Sequence, residues 1–199
     1  RTQPGIAVRL WRAEQNAALP AFSPPEILDA DLSGLVLDCA AFGVTDPATL
    51  AFLDPPPKPA LAEAQTLLLD LGAIDESGRL TEAGRAMRGL ALPLRLAHMV
   101  AEAARDGHAG NAAQLAVLLT ERGLGGDGAD LERRLSRFRT ERSPRAIAAR
   151  QLAERLARQA AKRGGAAPGE SPSAGARLGP PFPERVAIAP GERGRFLLA

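Results

Sequence analysis

Apolar residues recur at three- and four-residue steps along most of this chain, which is the period of a helix face buried on one side. Ser23-Pro24-Pro25-Glu26 reads as a helix opening, with Ser23 as cap, prolines in the first turn and Glu26 and Asp29 at the positive end. Ile27, Leu28, Leu32, Leu35, Val36, Cys39 and Phe42 form its stripe, and Gly43 ends it. Thr45-Asp46-Pro47 opens a short helix reaching Phe52, Pro55-Pro56-Pro57 makes a stiff link, and a further helix runs about 60–71 with Leu61, Leu68 and Leu71 inward. Residues 72–80 then place two short apolar pieces around Glu76-Ser77-Gly78, a small hairpin pattern, and Thr81 caps a helix from Glu82 to about Leu90. Four more helices are expected, at about 94–104, at 111–121, from Asp130 with Leu131, Leu135 and Phe138 on one face, and at 146–161 with Ile147, Leu152 and Leu156. Their short links favour antiparallel neighbours in a bundle.

Two stretches break the helical period. Ile6, Val8 and Leu10 alternate with Ala7 and Arg9, which is a strand period, but no partner strand lies next to it in sequence. Residues 164–183 are rich in Gly, Pro and Ser and read as a linker, after which 186–189 and 195–198 look like two short strands. The expected fold is therefore mainly α: three helices with a small β-hairpin, in the order of a winged-helix module, followed by a helical bundle, with a lone N-terminal strand and a short C-terminal β segment.

Composition supports the helical reading, since aromatic residues make up only 4% of the chain and Tyr is absent, whereas sandwiches and barrels use many. No run of about 18 apolar residues is present, so no membrane helix is expected. A single cysteine, Cys39, cannot form an internal disulfide or a cysteine metal cage, which fits a cytoplasmic protein, and its place on an apolar stripe makes a buried, inert thiol the expectation. The first residues, Arg1-Thr2-Gln3-Pro4-Gly5, carry neither an initiator Met nor a signal peptide, so the chain is expected to be a piece of a longer protein.

Charge changes the picture more. The net charge of +2 hides an asymmetry: residues 1–120 hold 9 basic and 14 acidic side chains, whereas 133–163 hold 11 basic and 2 acidic. The competing reading, a solvated helix face, is the simpler one, but so strong a local excess points to a polyanionic partner. Arg133, Arg134, Arg137, Arg139, Arg142, Arg145 and Arg150, continued by Arg155 and Arg158, are the candidate nucleic-acid-binding residues. Guanidinium groups match phosphate in a bidentate way, and each phosphate neutralised releases counterions. Only Phe138 interleaves with them, and the core claims it, so backbone contacts are expected rather than base stacking.

Enzymatic motifs are missing from the sequence. Neither Gly-x-x-x-x-Gly-Lys-Ser/Thr nor Gly-x-Gly-x-x-Gly occurs, and Gly123–Gly128 lacks the lysine and preceding strand of a phosphate loop, so it reads as a hinge. His98 and His108 are isolated, His98 reads as a packed or capping residue, and Asp75-Glu76 reads as a solvated turn, so no metal site is expected.

Several strings, in order, resemble a known family. Arg1-Thr2-Gln3-Pro4-Gly5, Arg9-Leu10-Trp11 and Pro25-Glu26-Ile27-Leu28 resemble the region that follows the last helicase motif of the DEAH-box ATP-dependent helicases. Leu53-Asp54-Pro55-Pro56, Leu71-Gly72-Ala73-Ile74 and Gly78-Arg79-Leu80-Thr81-Glu82-Ala83-Gly84-Arg85-Ala86-Met87 are similar to their winged helix. Arg95-Leu96-Ala97-His98-Met99 and Leu118-Leu119-Thr120-Glu121-Arg122 are similar to their helicase-associated, or ratchet, bundle. Pro183-Glu184-Arg185-Val186 and Arg195-Phe196-Leu197-Leu198 bring the bacterial HrpB type nearest. One departure lies at Leu90-Ala91-Leu92-Pro93-Leu94-Arg95, where the family often has Leu-Pro-Leu-x-Pro-Arg.

The resemblance implies boundaries at 1–22 (end of a RecA-like domain), 23–92 (winged helix), 93–163 (bundle), 164–182 (linker) and 183–199 (start of a β domain). It also implies a function: a non-catalytic accessory region that couples ATP-driven RecA-domain motion to a grip on single-stranded RNA, or DNA. ATP and Mg would be cofactors of the parent protein and not of this region. Arg1 matches the last arginine of Gln-Arg-x-Gly-Arg-Ala-Gly-Arg, which in the family reaches the ATP γ-phosphate, so Arg1 would be a stub of that catalytic motif, inactive here. Its partners would be the nucleic acid and the upstream RecA-like domains of the same chain, with no membrane. The alternative is a free-standing winged-helix DNA-binding regulator with a helical dimerisation arm. That alternative needs a basic recognition helix, but 82–90 carries only Arg85 and Arg88 against Glu82.

Overall fold

The computed structural model describes residues 3–6, 8, 10–12, 14–15, 18–19, 22–162, 172–188 and 197–198. Within them lie eight α-helices: α1 Ser33–Ala41, α2 Lys58–Asp70, α3 Glu82–Gly89, α4 Leu94–Arg105, α5 Ala109–Thr120, α6 Leu131–Thr140, α7 Pro144–Ala161 and α8 Ala174–Leu178. The chain is mainly helical. Its regular β structure is one antiparallel pair of two-residue strands, β1 Ala187–Ile188 with β2 Leu197–Leu198. The strands expected at 186–189 and 195–198 lie partly outside the described residues.

Helix starts follow side-chain caps. Thr81 accepts the Gly84 N–H at 3.0 Å, Asp130 the Arg133 N–H at 3.1 Å and Ser143 the Ala146 N–H at 3.2 Å. Each satisfies an N–H that the helix itself leaves unpaired. The first helix departs from expectation. Residues Glu26–Leu28 form one 3₁₀ turn, and α1 starts only at Ser33, where the Asp31 carboxylate accepts the Ser33 N–H at 2.9 Å. The buried stripe is correspondingly shorter: Leu32, Val36, Leu37, Cys39 and Ala40 face inward, whereas Phe42 is 81% exposed. The helix expected to reach Phe52 is a 3₁₀ turn, Pro47–Thr49, capped by Asp46.

A single bridge, Ile74 to Leu80, stands where the hairpin was expected. Asp75 uses its carboxylate to accept the Ser77 and Arg79 N–H groups, both at 2.9 Å, which closes the turn too tightly for two strands to extend. Among the described residues of 5–11 none is in a strand, and Ile6, Val8 and Leu10 are 96%, 75% and 92% exposed. A lone strand has no ladder to satisfy its backbone.

The core runs continuously from α1 to α8. The bundle is built around α5 and α7, which pack on each other and whose buried residues are largely alanines: Ala109, Ala112, Ala113 and Ala116 on α5, and Ala146, Ala149, Ala153 and Ala160 on α7. Small residues let the two helices approach closely. They also displace the expected face of α7, where Ile147 is 43% exposed and Leu152 half-buried. At the departure in 90–95, Ala91 has φ 51°, which a proline cannot adopt. Of the linker expected over 164–182, the described residues 172–182 include α8, which packs against α4, α5 and α6.

Candidate nucleic-acid interface

The seven arginines that looked equivalent in sequence divide into two groups. Four of them hold the fold together. Arg139 spans from α6 to α5, donating from Nε to Gln114 at 2.8 Å and from Nη2 to Asn111 at 3.0 Å. Arg150, half-buried on α7, donates to the Phe138 carbonyl at 2.6 Å and stands 5.8 Å from the centre of the Phe138 ring. Arg145 pairs with Glu121 at 3.5 Å. Arg134 reaches the Leu124 carbonyl at 3.4 Å, and its Nε is buried with no partner. Ties of this kind, between different elements, spend the guanidinium on the protein itself.

Arg133, Arg137 and Arg142 make no side-chain hydrogen bond or ion pair among the described residues, and all three are exposed. Arg133 and Arg137 lie one turn apart on α6, four residues in sequence, so they share a face. Arg142 follows in the short turn into α7. On α7, Arg155 and Arg158 are exposed as well. The remaining cations therefore form the solvent face of the α6–α7 segment. Arg1 lies outside the described residues.

The loop at 123–128 is not a free hinge. Leu124 is 1% exposed, so it is anchored in the core. Gly125 has φ 66°, and a Cβ there would overlap the Arg134 carbonyl oxygen. Its N–H donates to Glu141 at 3.4 Å, and the other oxygen of Glu141 accepts the Ser143 hydroxyl at 2.6 Å. Glu141 was not singled out in the sequence, yet it ties the glycine loop to the α6–α7 turn. The signal that could have found it is its place as an acid amid arginines, two residues before a Ser-Pro cap.

These contacts hold the Glu141 carboxyl below its ordinary value. The Ser143 hydrogen bond is the largest cause, followed by the Gly125 N–H, with Arg150 and Arg145 adding to them against a small opposing effect of burial. Because the folded-state value is lowered, the stabilisation is present above the ordinary carboxylate value and is lost as pH falls through the folded one. The Tm of the chain is expected to fall more steeply below about pH 4.5 than that of Glu141→Gln, the difference in slope amounting to at most about one proton. Parallel Tm–pH curves from pH 7 to 3 would remove this role.

Cys39, His98 and His108 are packed rather than exposed. Cys39 is buried, and burial, then Asp38, push its thiol upward. His98 is held below its ordinary value by burial, and His108 is 7% exposed at the start of α5. Among the described residues no three His, Cys, Asp or Glu side chains are grouped to hold a metal, and no helix is long and apolar enough to cross a membrane.

Comparison with known proteins agrees with this architecture. Residues 64–92, from within α2 through α3, match the family model "Helicase associated domain (HA2), winged-helix". The chain is 37% identical over its whole length to the ATP-dependent RNA helicase HrpB of Escherichia coli, spanning 23% of that protein. It is 37% identical over 112 residues to the ATP-dependent RNA helicase HrpA of the same organism, covering 54% of this chain and 9% of HrpA. A crystal structure of the Escherichia coli DEAH/RHA helicase HrpB superposes on all of this chain with a TM-score of 0.74 at 35% identity, over 24% of that chain. The chain thus spans less than a quarter of the length of the HrpB it matches. With the family match on α2–α3 and similarity to HrpB over its whole length, the chain matches a fragment of the DEAH-box helicases of the HrpB type.

Proposed function

We propose that this chain grips the backbone of single-stranded RNA through the exposed arginines of α6 and α7. It would transmit to that grip the motion that ATP hydrolysis drives in RecA-like domains of the same protein. The observation that carries the reading is the division among the arginines: Arg133, Arg137 and Arg142 remain exposed and uncommitted among the described residues, while their neighbours fix the surface that bears them. Phosphate contacts of this kind hold a strand without reading its sequence. The names of the relatives, both ATP-dependent RNA helicases, supply the substrate class. This chain's own residues do not fit ATP with Mg, since they include no phosphate loop and, among the described residues, no cluster of metal-binding side chains. Hydrolysis would belong to the RecA-like domains.

A winged-helix regulator is not favoured. Of the two arginines on α3, Arg88 is committed to Asp38 on α1 at 2.6 Å.

The test is binding of a fluorescent oligouridylate to the full 199-residue chain across a salt series. Arg133→Ala, Arg137→Ala and Arg142→Ala combined should weaken binding about tenfold at 0.1 M salt and lower the slope of log K against log salt by about 2, at roughly 0.7 per lost phosphate contact. An unchanged affinity and slope would make the patch a solvated face.

A further inference from the structure

The arginine-bearing helix α6 is held by few elements. It buries only Leu135 and Phe138, and it packs mainly on α5 and on α8. The contact with α8 comes from a segment whose sequence looked like linker. Residues 172–186 fold back over the bundle and are fastened at both ends. At one end the Ala174 N–H donates to the Glu132 carboxylate, in the first turn of α6, at 2.5 Å. Ala174 is 4% exposed, and Arg177 one turn later is 9% exposed; burial lowers its pKa, and Asp106, just after α4, and Glu132 of α6 oppose that effect. At the other end Arg95 of α4 donates to the Pro181 carbonyl at 2.5 Å. The next residue, Phe182, has its ring between two guanidinium groups, Arg95 at 5.5 Å and Arg185 at 5.6 Å. A cation over an aromatic face contributes most where it is partly desolvated, as the half-buried Phe182 is.

We propose that residues 172–186 are a strap that positions α6, pinning its first turn to α4 so that Arg133 and Arg137 are presented in a fixed register. Glu132 and Phe182 are its two positioning residues. The proposal rests on the reading of the arginine face given above, but its structural half can be tested without any nucleic acid. The strap bears on the grip through geometry alone: Glu132 precedes Arg133 directly, and freeing it frees the first turn of α6 without removing a cation. A cavity of about 140 Å³ remains between the strap and α4, so the strap is fixed by its two ends more than by continuous packing.

The experiment uses the full chain and two variants that change no charge. Ala174→Pro deletes the N–H given to Glu132 while keeping a residue that the first position of a helix accepts, after a Ser173 already extended at ψ 164°. Phe182→Ala removes the ring between the arginines, and Phe182→Tyr restores it. Amide exchange in α6 should quicken about threefold or more in the first two variants, with α5 and α7 unchanged, and return to the parent rate in Phe182→Tyr. Oligouridylate affinity should fall about threefold to tenfold in the same two variants with an unaltered salt slope, because no phosphate contact is lost. Uniform quickening across all helices, or unchanged exchange in α6, would overturn the strap. Loosened α6 with full affinity would overturn its part in the grip. If the arginine substitutions themselves leave binding intact, the interface reading fails, and exchange in α6 alone then decides the strap.

Discussion

Phe138→Ala lowers the stability of this chain by about 4 kcal/mol, within the range of about 3–5 kcal/mol found when a buried aromatic is cut to Ala. Phe138 is 0% exposed and is the largest fully buried side chain among the described residues. It is also the main anchor of α6, where Leu135, 5% exposed, is the other buried residue. Its loss leaves a cavity and strips the Arg150 guanidinium of the ring beneath it, so a charged group faces empty apolar space. Phe138→Leu, which keeps a branched apolar side chain, should lose less. Urea unfolding reads the effect as a lower midpoint with the same slope, since the exposed surface on unfolding is unchanged. A midpoint equal to that of the parent would mean that α6 is not held by this ring. Because α6 carries Arg133 and Arg137, the same substitution should weaken oligouridylate binding at temperatures where the rest of the bundle is still folded.

Most helices were legible in the sequence because their caps and periods agree. Thr81, Asp130 and Ser143 each stand where the helix starts, and α4 to α7 start within about two residues of their expected positions. The errors have physical causes. At 23–31 a Ser-Pro-Pro-Glu opening imitates a helix start, but Asp31, eight residues after Ser23, takes the Ser33 N–H instead, and the first segment closes as one 3₁₀ turn. On α7, apolarity alone pointed to Ile147, whereas close approach to α5 selects the alanine face. Residues 172–182 read as linker because the stretch is rich in Gly, Pro and Ser; their hold on the bundle includes one N–H, one carbonyl and one ring, none of which a period shows.

The candidate site was legible as a charge excess and not as a set of roles. Composition cannot tell an arginine that spans two helices from one that faces water. Arg139 and Arg150 are fixed by Asn111, Gln114 and the Phe138 carbonyl, partners 12 to 28 residues distant in sequence. Only the fold brings those partners into reach. What remains after they are set aside, Arg133, Arg137 and Arg142, is a smaller face than the charge run implied, and one whose orientation depends on residues that carry no charge of the right sign, Glu132 and Phe182 among them.

Gly84→Ala is expected to destabilise the chain by about 2 kcal/mol or more, against the usual sign for a helical glycine. Gly84 lies in the first turn of α3, and a Cβ there would overlap the Ala73 carbonyl oxygen and come within 2.7 Å of Leu80 Cδ1. Neither obstacle can swing away easily. The Ala73 carbonyl already accepts the Thr81 N–H and hydroxyl, both at 3.1 Å, and Ala73 is 0% exposed. Thr81 also donates to the Gly72 carbonyl at 2.6 Å and caps the Gly84 N–H, so the start of α3 is bolted to the end of α2 through one side chain. Alanine's better helix propensity, about 1 kcal/mol, offsets only part of the overlap. Gly34→Ala makes the matched control: it too lies in a helix, in α1, but nothing stands within 4 Å of its added Cβ, so it should stabilise by about 0.5–1 kcal/mol. In thermal unfolding the two should move Tm in opposite directions, Gly84→Ala downward by about 4–8 °C for a chain of this size. If both substitutions raise Tm alike, α3 does not sit against the Ala73 carbonyl, and the junction between the stretch that matches the winged-helix family and the bundle behind it must be looser than described.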